Sequence, residues 1–134
     1  MANPLAVRGV VDLAGPLDLT TDIEGYEALC RDRVITNLMG GTPAAVPGRY
    51  AEASPMKLLP LGVPQPVVLG EYEEYLPLES AQAYVHAAER AGDRVRMILI
   101  PGVGHFEIAS PRAAIWPRVE FAIRSLIDGK LPPP

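Results

Sequence analysis

Apolar segments rich in β-branched residues alternate along the chain with segments of helical periodicity, and this order constrains the fold more than any other feature. Strands are predicted at three places, Val7–Leu13, Val63–Leu69 and Val95–Ile100. Helices are predicted where apolar residues recur every three or four positions, over Tyr26–Met39, Glu79–Ala91 and Arg112–Asp128, and a short helix is predicted to open at Pro43. Strands that alternate with helices connect through right-handed crossovers. The expected fold is therefore α/β, with a short three-stranded parallel sheet flanked by helices.

Length, charge and cysteine content exclude several classes of protein. The 134 residues suit one domain spanning residues 1–134, and a net charge of −4 without a basic cluster argues against nucleic acid as a partner. No apolar run approaches the roughly 20 residues of a membrane span. The amino terminus lacks the pattern of a secretory signal, so a cytoplasmic location and no membrane partner are expected. The single cysteine excludes an internal disulfide. No metal or other cofactor is implied.

The turns after the second and third predicted strands hold most of the residues capable of chemistry. Residues 70–77 are GEYEEYLP, and residues 101–106 are PGVGHF. Both turns leave the carboxyl ends of parallel strands, where α/β folds bind their ligands. The first turn is rich in carboxylates and the second carries a histidine. A solvated acidic turn is the simplest interpretation of the carboxylates taken alone.

These turns resemble the acid and histidine turns of the α/β-hydrolase superfamily, in the branch of small carboxylesterases and prolyl-oligopeptidase-like enzymes. In that branch the acid lies in a G-x-x-D-x-x-V-P turn and the histidine in G-x-G-H-F. Leu38–Pro43 and Tyr50–Pro55 are similar to the branch's segment between its sixth and seventh strands. The resemblance extends from Val7 to about Asp128. It implies a truncated α/β-hydrolase fold that corresponds to the C-terminal part of the superfamily's domain.

The resemblance gives His105 the place of the catalytic base and Glu73 the place of the acid that orients it. Glutamate replaces the branch's usual aspartate, although glutamate is used elsewhere in the superfamily. No G-x-S-x-G nucleophile elbow occurs in the sequence. The expected nucleophile is therefore Cys30 or a water molecule. Cys30 could instead be a buried, inert residue on a helix. His105 could instead be an inherited loop residue without function.

Two functions are compatible with this resemblance. The first is a weak, esterase-like hydrolase that acts on a small ester or acyl substrate and whose active site is completed by oligomerisation. The second is a non-catalytic half-domain that serves as an interaction or complementation module. In the family the strand matching Val7–Leu13 pairs with a strand that this sequence does not supply. Its bare edge predicts a homodimer, formed across that edge or by helix swapping.

The same resemblance predicts the surroundings of the site. Two copies are expected to present Glu73 and His105 toward an apolar pocket. Its lining is predicted to be aromatic and apolar: Tyr72, Tyr75, Phe106 and residues of the Tyr26–Met39 helix.

Overall fold

The computed structural model describes residues 5–133. Within that range the strands and helices follow one another as β1 Asp12–Leu13, α1 Ile23–Cys30, α2 Val34–Met39, α3 Pro47–Ala53, a 3-10 turn at Pro55–Leu58, β2 Gln65–Tyr72, α4 Leu78–Arg90, β3 Val95–Gly104, α5 His105–Ile108 and α6 Trp116–Ile127.

The three strands form one parallel sheet in the order β1-β2-β3, which confirms the predicted α/β class and topology. Asp12 of β1 is in register with Val67 of β2, and Gln65 of β2 with Val95 of β3. The central strand β2 is buried from Gln65 to Gly70. A central parallel strand is normally covered on both faces, so its side chains supply much of the core.

The first strand is shorter than the predicted Val7–Leu13 because its partner contains prolines. Ladder pairing covers Asp12 and Leu13, and before them the Val10 N–H donates to the Pro64 carbonyl at 3.0 Å. Pro64 and Pro66 have no N–H to donate, so the ladder cannot continue toward the amino terminus.

The predicted helix over Tyr26–Met39 was wrong as a single element, since it is divided into α1 and α2. Arg31 lies between them with φ at 51°, a left-handed conformation that ends α1, and its N–H donates to the Ala28 carbonyl. The Asp32 carboxylate then accepts the N–H of Arg33 at 2.7 Å, just before α2 begins. Local backbone bonding therefore overrides a continuous apolar periodicity.

Three other boundaries differ from the predicted ones. The short helix expected at Pro43 begins at Pro47, because residues 42–46 form a turn. Helix α6 begins at Trp116, later than the predicted Arg112. Strand β3 extends past the predicted end at Ile100, with an irregularity that pairs Gly70 with Ile100 and then Tyr72 with Gly104.

The core lies between the sheet and the helices on its faces. Its largest fully buried side chains include Tyr50, Tyr84, Leu69 and Ile100. A chain of buried hydrogen bonds joins the sheet to α4. The Tyr84 hydroxyl donates to the amide oxygen of Gln65, and the Gln65 amide nitrogen donates to Asp93 at 2.9 Å. None of the helices in residues 5–133 combines the length and apolar character that a bilayer crossing requires.

Candidate functional site

Glu73 and His105 are in direct contact at the carboxyl ends of β2 and β3. The Nδ1 atom of His105 lies 2.9 Å and 3.0 Å from the two carboxylate oxygens of Glu73. An ionised carboxylate only accepts hydrogen bonds, so Nδ1 is the donor in this contact, and in the neutral imidazole Nε2 then has the lone pair. Among residues 5–133, Nε2 has no hydrogen-bond partner. The imidazole is therefore arranged to accept a proton from a group that approaches Nε2.

The turn after β2 fixes the Glu73 carboxylate. Its Oε1 atom accepts the N–H of Tyr75 at 2.7 Å and that of Leu76 at 3.3 Å. The Glu73 side chain is 4% exposed, whereas that of His105 is 23% exposed. The acid is thus shielded from solvent while the imidazole remains accessible, which is the arrangement that an orienting acid and a reacting base require.

A close approach between strands brings the histidine to this acid. A Cβ atom added at Gly70 would lie 2.8 Å from the Gly104 carbonyl oxygen and still closer to that of Val103. Because residue 70 is glycine, the backbone of the segment before His105 can lie in close contact with β2. The Glu71 carboxylate accepts the N–H of Gly102 at 2.8 Å and fixes the same segment from the other side.

Aromatic rings enclose the imidazole. Tyr75 lies over His105 with ring centroids 4.4 Å apart, and Phe106 meets it edge to face at 5.1 Å. Tyr26 of α1 contacts Tyr75 with centroids 6.0 Å apart, and its hydroxyl donates to the Ala14 carbonyl. Packing on both sides restricts rotation of the imidazole, so the ring is held in the orientation that its contact with Glu73 defines.

A cavity of about 330 Å³ opens beside the imidazole, and we call it the His105 cavity. Its lining consists of Tyr72, Glu74, Tyr75, Gly104, His105, Phe106 and Glu107. The three aromatic residues predicted for the pocket line it, whereas the prediction that residues of the Tyr26–Met39 segment also line it was wrong. Glu74 and Glu107 were not predicted, and they make the lining acidic as well as aromatic.

Asp12 is a carboxylate near this site that the sequence analysis missed. Its Oδ1 accepts the N–H of Gly15 at 3.1 Å, whereas Oδ2 is buried without a partner among the described residues. Burial raises the pKa of Asp12 from 3.8 to about 7, and the charge of Glu73 adds to the rise, while the hydrogen bond from Gly15 lowers it. A carboxylate that ends a valine-rich strand was the sequence signal that could have identified it.

The structure does not bring Cys30 into this arrangement. Cys30 is exposed at the last residue of α1 and makes no hydrogen bond to His105 or Glu73. The alternative prediction that Cys30 is buried was wrong, because its side chain lies on the solvent side of a short helix. The second histidine, His86, is exposed on α4. Within residues 5–133 no three His, Cys, Asp or Glu side chains are grouped as metal ligands would be.

No family model and no curated protein matches the chain. Solved structures do match it. The chain is 21% identical to the propionate-bound esterase Est2 of Thermogutta terrifontis, with 92% of this chain and 43% of that chain covered and a TM-score of 0.55. It is 21% identical to the bifunctional GH43-CE protein of Bacteroides eggerthii, with 90% and 16% covered and a TM-score of 0.62. A puromycin hydrolase mutant is 22% identical, with 87% and 16% covered and a TM-score of 0.60.

These similarities concern the fold. The chain spans less than half the length of each of these structures, at identities of 21% to 22%. The chain's three-stranded parallel sheet with its flanking helices matches part of each of these structures, in agreement with the predicted α/β fold class.

Proposed function

We propose that this chain is a weak, esterase-like hydrolase in which His105 acts as general base and Glu73 orients it. The observation that supports the proposal is the contact of Glu73 with the Nδ1 atom of a partly accessible imidazole. The branch suggested by the sequence, small carboxylesterases and prolyl-oligopeptidase-like enzymes, belongs to the same proposal. The substrate class is a small ester.

In the proposed reaction, Nε2 of His105 removes a proton from a nucleophile as it attacks the carbonyl carbon of the ester. The imidazolium that forms is stabilised by the Glu73 carboxylate at Nδ1. As the tetrahedral intermediate collapses, the imidazolium returns the proton to the departing alkoxide, which leaves as an alcohol. One water is consumed, and one acid and one alcohol are released.

Water is the nucleophile favoured by the contacts. Cys30 is exposed and makes no hydrogen bond to the imidazole, so His105 does not activate its thiol in this structure. A reaction with water as nucleophile forms no acyl-enzyme and needs one proton acceptor. Turnover is expected to be slow, because the sequence has no nucleophile elbow, whose backbone N–H is an oxyanion donor in the superfamily, and loss of one such donor costs about 10² to 10³ in rate.

The test is hydrolysis of 4-nitrophenyl acetate by the purified chain and its variants. His105→Asn is expected to lower kcat/KM by about 10² or more, the usual contribution of a general base. Cys30→Ala is expected to leave kcat/KM unchanged. The matched control is His86→Asn, because His86 is an exposed histidine outside the site and reports any reaction of the ester with imidazole in general. Equal loss of activity in both histidine variants would contradict the proposal.

A binding module is the second candidate function, and the edge of the sheet favours it. β1 is an edge strand, and the exposed residues before it include Val7 and Val10. Under this proposal the chain pairs with another polypeptide along β1 and needs no catalysis. Absence of esterase activity together with stable self-association would favour this candidate over the first.

A further inference from the structure

The lining of the His105 cavity combines aromatic side chains with negative charge. Tyr72 and Phe106 are 65% and 70% exposed, unusually high for aromatic side chains, and Tyr75 contacts both the imidazole and Phe106, with ring centroids 4.4 Å and 5.8 Å apart. Glu74 and Glu107 contribute two carboxylates, and none of the lysines and arginines within residues 5–133 lines the cavity. The Glu107 carboxylate is held in place by the N–H of Gly104 at 3.2 Å.

Each of these groups attracts the same kind of ligand. The face of an aromatic ring carries partial negative charge and attracts alkylammonium groups, which also gain from contact with the apolar ring surface. Two nearby carboxylates add a negative field, and the net charge of −4 has the same sign. An anionic ligand would be repelled, and a neutral one would gain only the apolar contact.

We propose that the His105 cavity binds alkylammonium groups, so that the preferred substrates are esters with a quaternary or alkylated ammonium group close to the ester bond. The part of this inference that concerns esters rests on the function proposed above, whereas ammonium binding does not. The volume of about 330 Å³ is at the lower end of the ligand cavities of proteins, which suits a compact cation.

Binding is tested without catalysis, by comparing choline with 3,3-dimethylbutan-1-ol, its neutral isostere in which carbon replaces nitrogen. Titration calorimetry or ligand NMR at low ionic strength is expected to give choline an affinity about fivefold higher or more, since several ring faces and two carboxylates act together. Added salt is expected to reduce that preference.

Variants locate the site of binding. Phe106→Leu keeps an apolar side chain and removes one ring face, and it is expected to weaken choline binding about two- to fivefold. Glu74→Gln is expected to weaken it about twofold or more while leaving the neutral isostere unaffected. Glu89→Gln is the matched control, because Glu89 is an exposed carboxylate on α4 that does not line the cavity. Equal affinity for choline and its isostere, or choline binding that neither cavity variant weakens, would overturn the proposal.

Kinetics separate this proposal from the hydrolase proposal. Acetylcholine and 3,3-dimethylbutyl acetate are matched esters, and the first is expected to have the higher kcat/KM. Preferential choline binding without hydrolysis of either ester would reject the hydrolase and keep the ammonium site. Hydrolysis of both esters at equal kcat/KM without a preference for choline would reject the ammonium site and keep the hydrolase.

Discussion

At the scale of single residues, Glu73 has two kinds of partner. Its carboxylate accepts backbone N–H groups from Tyr75 and Leu76 and also contacts the Nδ1 atom of His105. The first kind of contact organises the turn, and the second fixes which imidazole nitrogen carries the proton. A substitution that keeps the backbone contacts and changes the contact with Nδ1 therefore separates the structural role of Glu73 from its proposed chemical role.

Glu73→Gln is that substitution. The amide oxygen can still accept the backbone N–H groups, but the amide nitrogen then donates to Nδ1, which places the imidazole proton on Nε2 and removes the base. We expect kcat/KM for 4-nitrophenyl acetate to fall by about 10² or more, with a melting temperature close to that of the parent. Glu73→Ala is the comparison, and it is expected to lower both activity and melting temperature. Activity retained in Glu73→Gln would exclude an orienting role for the carboxylate.

Asp12 leads to a prediction about stability and pH. Its pKa is raised to about 7 in the folded chain, from 3.8. Between these values the folded chain holds a proton that the unfolded chain has released, so the free energy of unfolding falls as pH rises from about 4 to about 7. Asp12→Asn removes the charge, and its stability advantage over the parent is expected to grow across that range to a few kcal/mol, since one pKa unit corresponds to about 1.4 kcal/mol.

The measurement is urea unfolding at pH 4 to 8 of the parent chain and the Asp12→Asn variant. Asp128→Asn serves as control, because Asp128 is exposed just after α6. An advantage of Asp12→Asn that is independent of pH would show that removal of the charge is not its cause.

At the scale of elements, the close approach of the Val103–Gly104 backbone to β2 depends on the absence of a side chain at Gly70. We expect Gly70→Ala to displace the Val103–Gly104 backbone, because the added Cβ would overlap two carbonyl oxygens. Esterase activity is expected to fall by at least about tenfold, as small misplacements of a base are costly. Gly48→Ala is the control, since Gly48 is exposed at the start of α3 and a Cβ added there has open space around it. Unchanged activity in Gly70→Ala would show that the close approach at Gly70 does not position His105.

Elements with strong periodicity and clear ends were predictable from the sequence, and elements decided by single backbone contacts were not. Helix α4 differs from its prediction by only one residue at each end. The prediction was close because the segment is rich in alanine and is followed by Gly92. The division of α1 from α2 depends on the left-handed Arg31, which no apolar pattern reveals. The contact between Glu73 and His105 was accessible through the family resemblance, whereas the place of Glu74 and Glu107 in the cavity lining depends on how the turn after β2 and helix α5 meet in space.

At the scale of the whole molecule, the edge of the sheet at β1 bears on self-association. Val7 is 56% exposed and Val10 44% exposed, beside a strand with one hydrogen-bonded neighbour. We propose that two copies pair here as a homodimer, since an edge strand with exposed valines favours pairing with another chain. Light scattering is expected to give twice the mass of one chain.

Val7→Lys is expected to shift this dimer toward monomer, because a lysine in the exposed segment that leads into the edge strand opposes pairing there. Leu38→Lys provides the comparison, since Leu38 is 83% exposed but lies on α2. Loss of the dimer in Leu38→Lys alone would favour an interface between helices, and a monomer in the parent chain would exclude both arrangements.

The aromatic enclosure of His105 has a consequence for spectroscopy. The chain has two histidines, and one of them, His86, is exposed on α4. Tyr75 and Phe106 lie within 4.4 Å and 5.1 Å of the His105 ring centroid, so their ring currents separate the proton resonances of His105 from those of His86. Two resolved imidazole signals allow the protonation of each ring to be followed in the unmodified chain, and a cation that enters the cavity would be visible as a shift in one signal and not in the other.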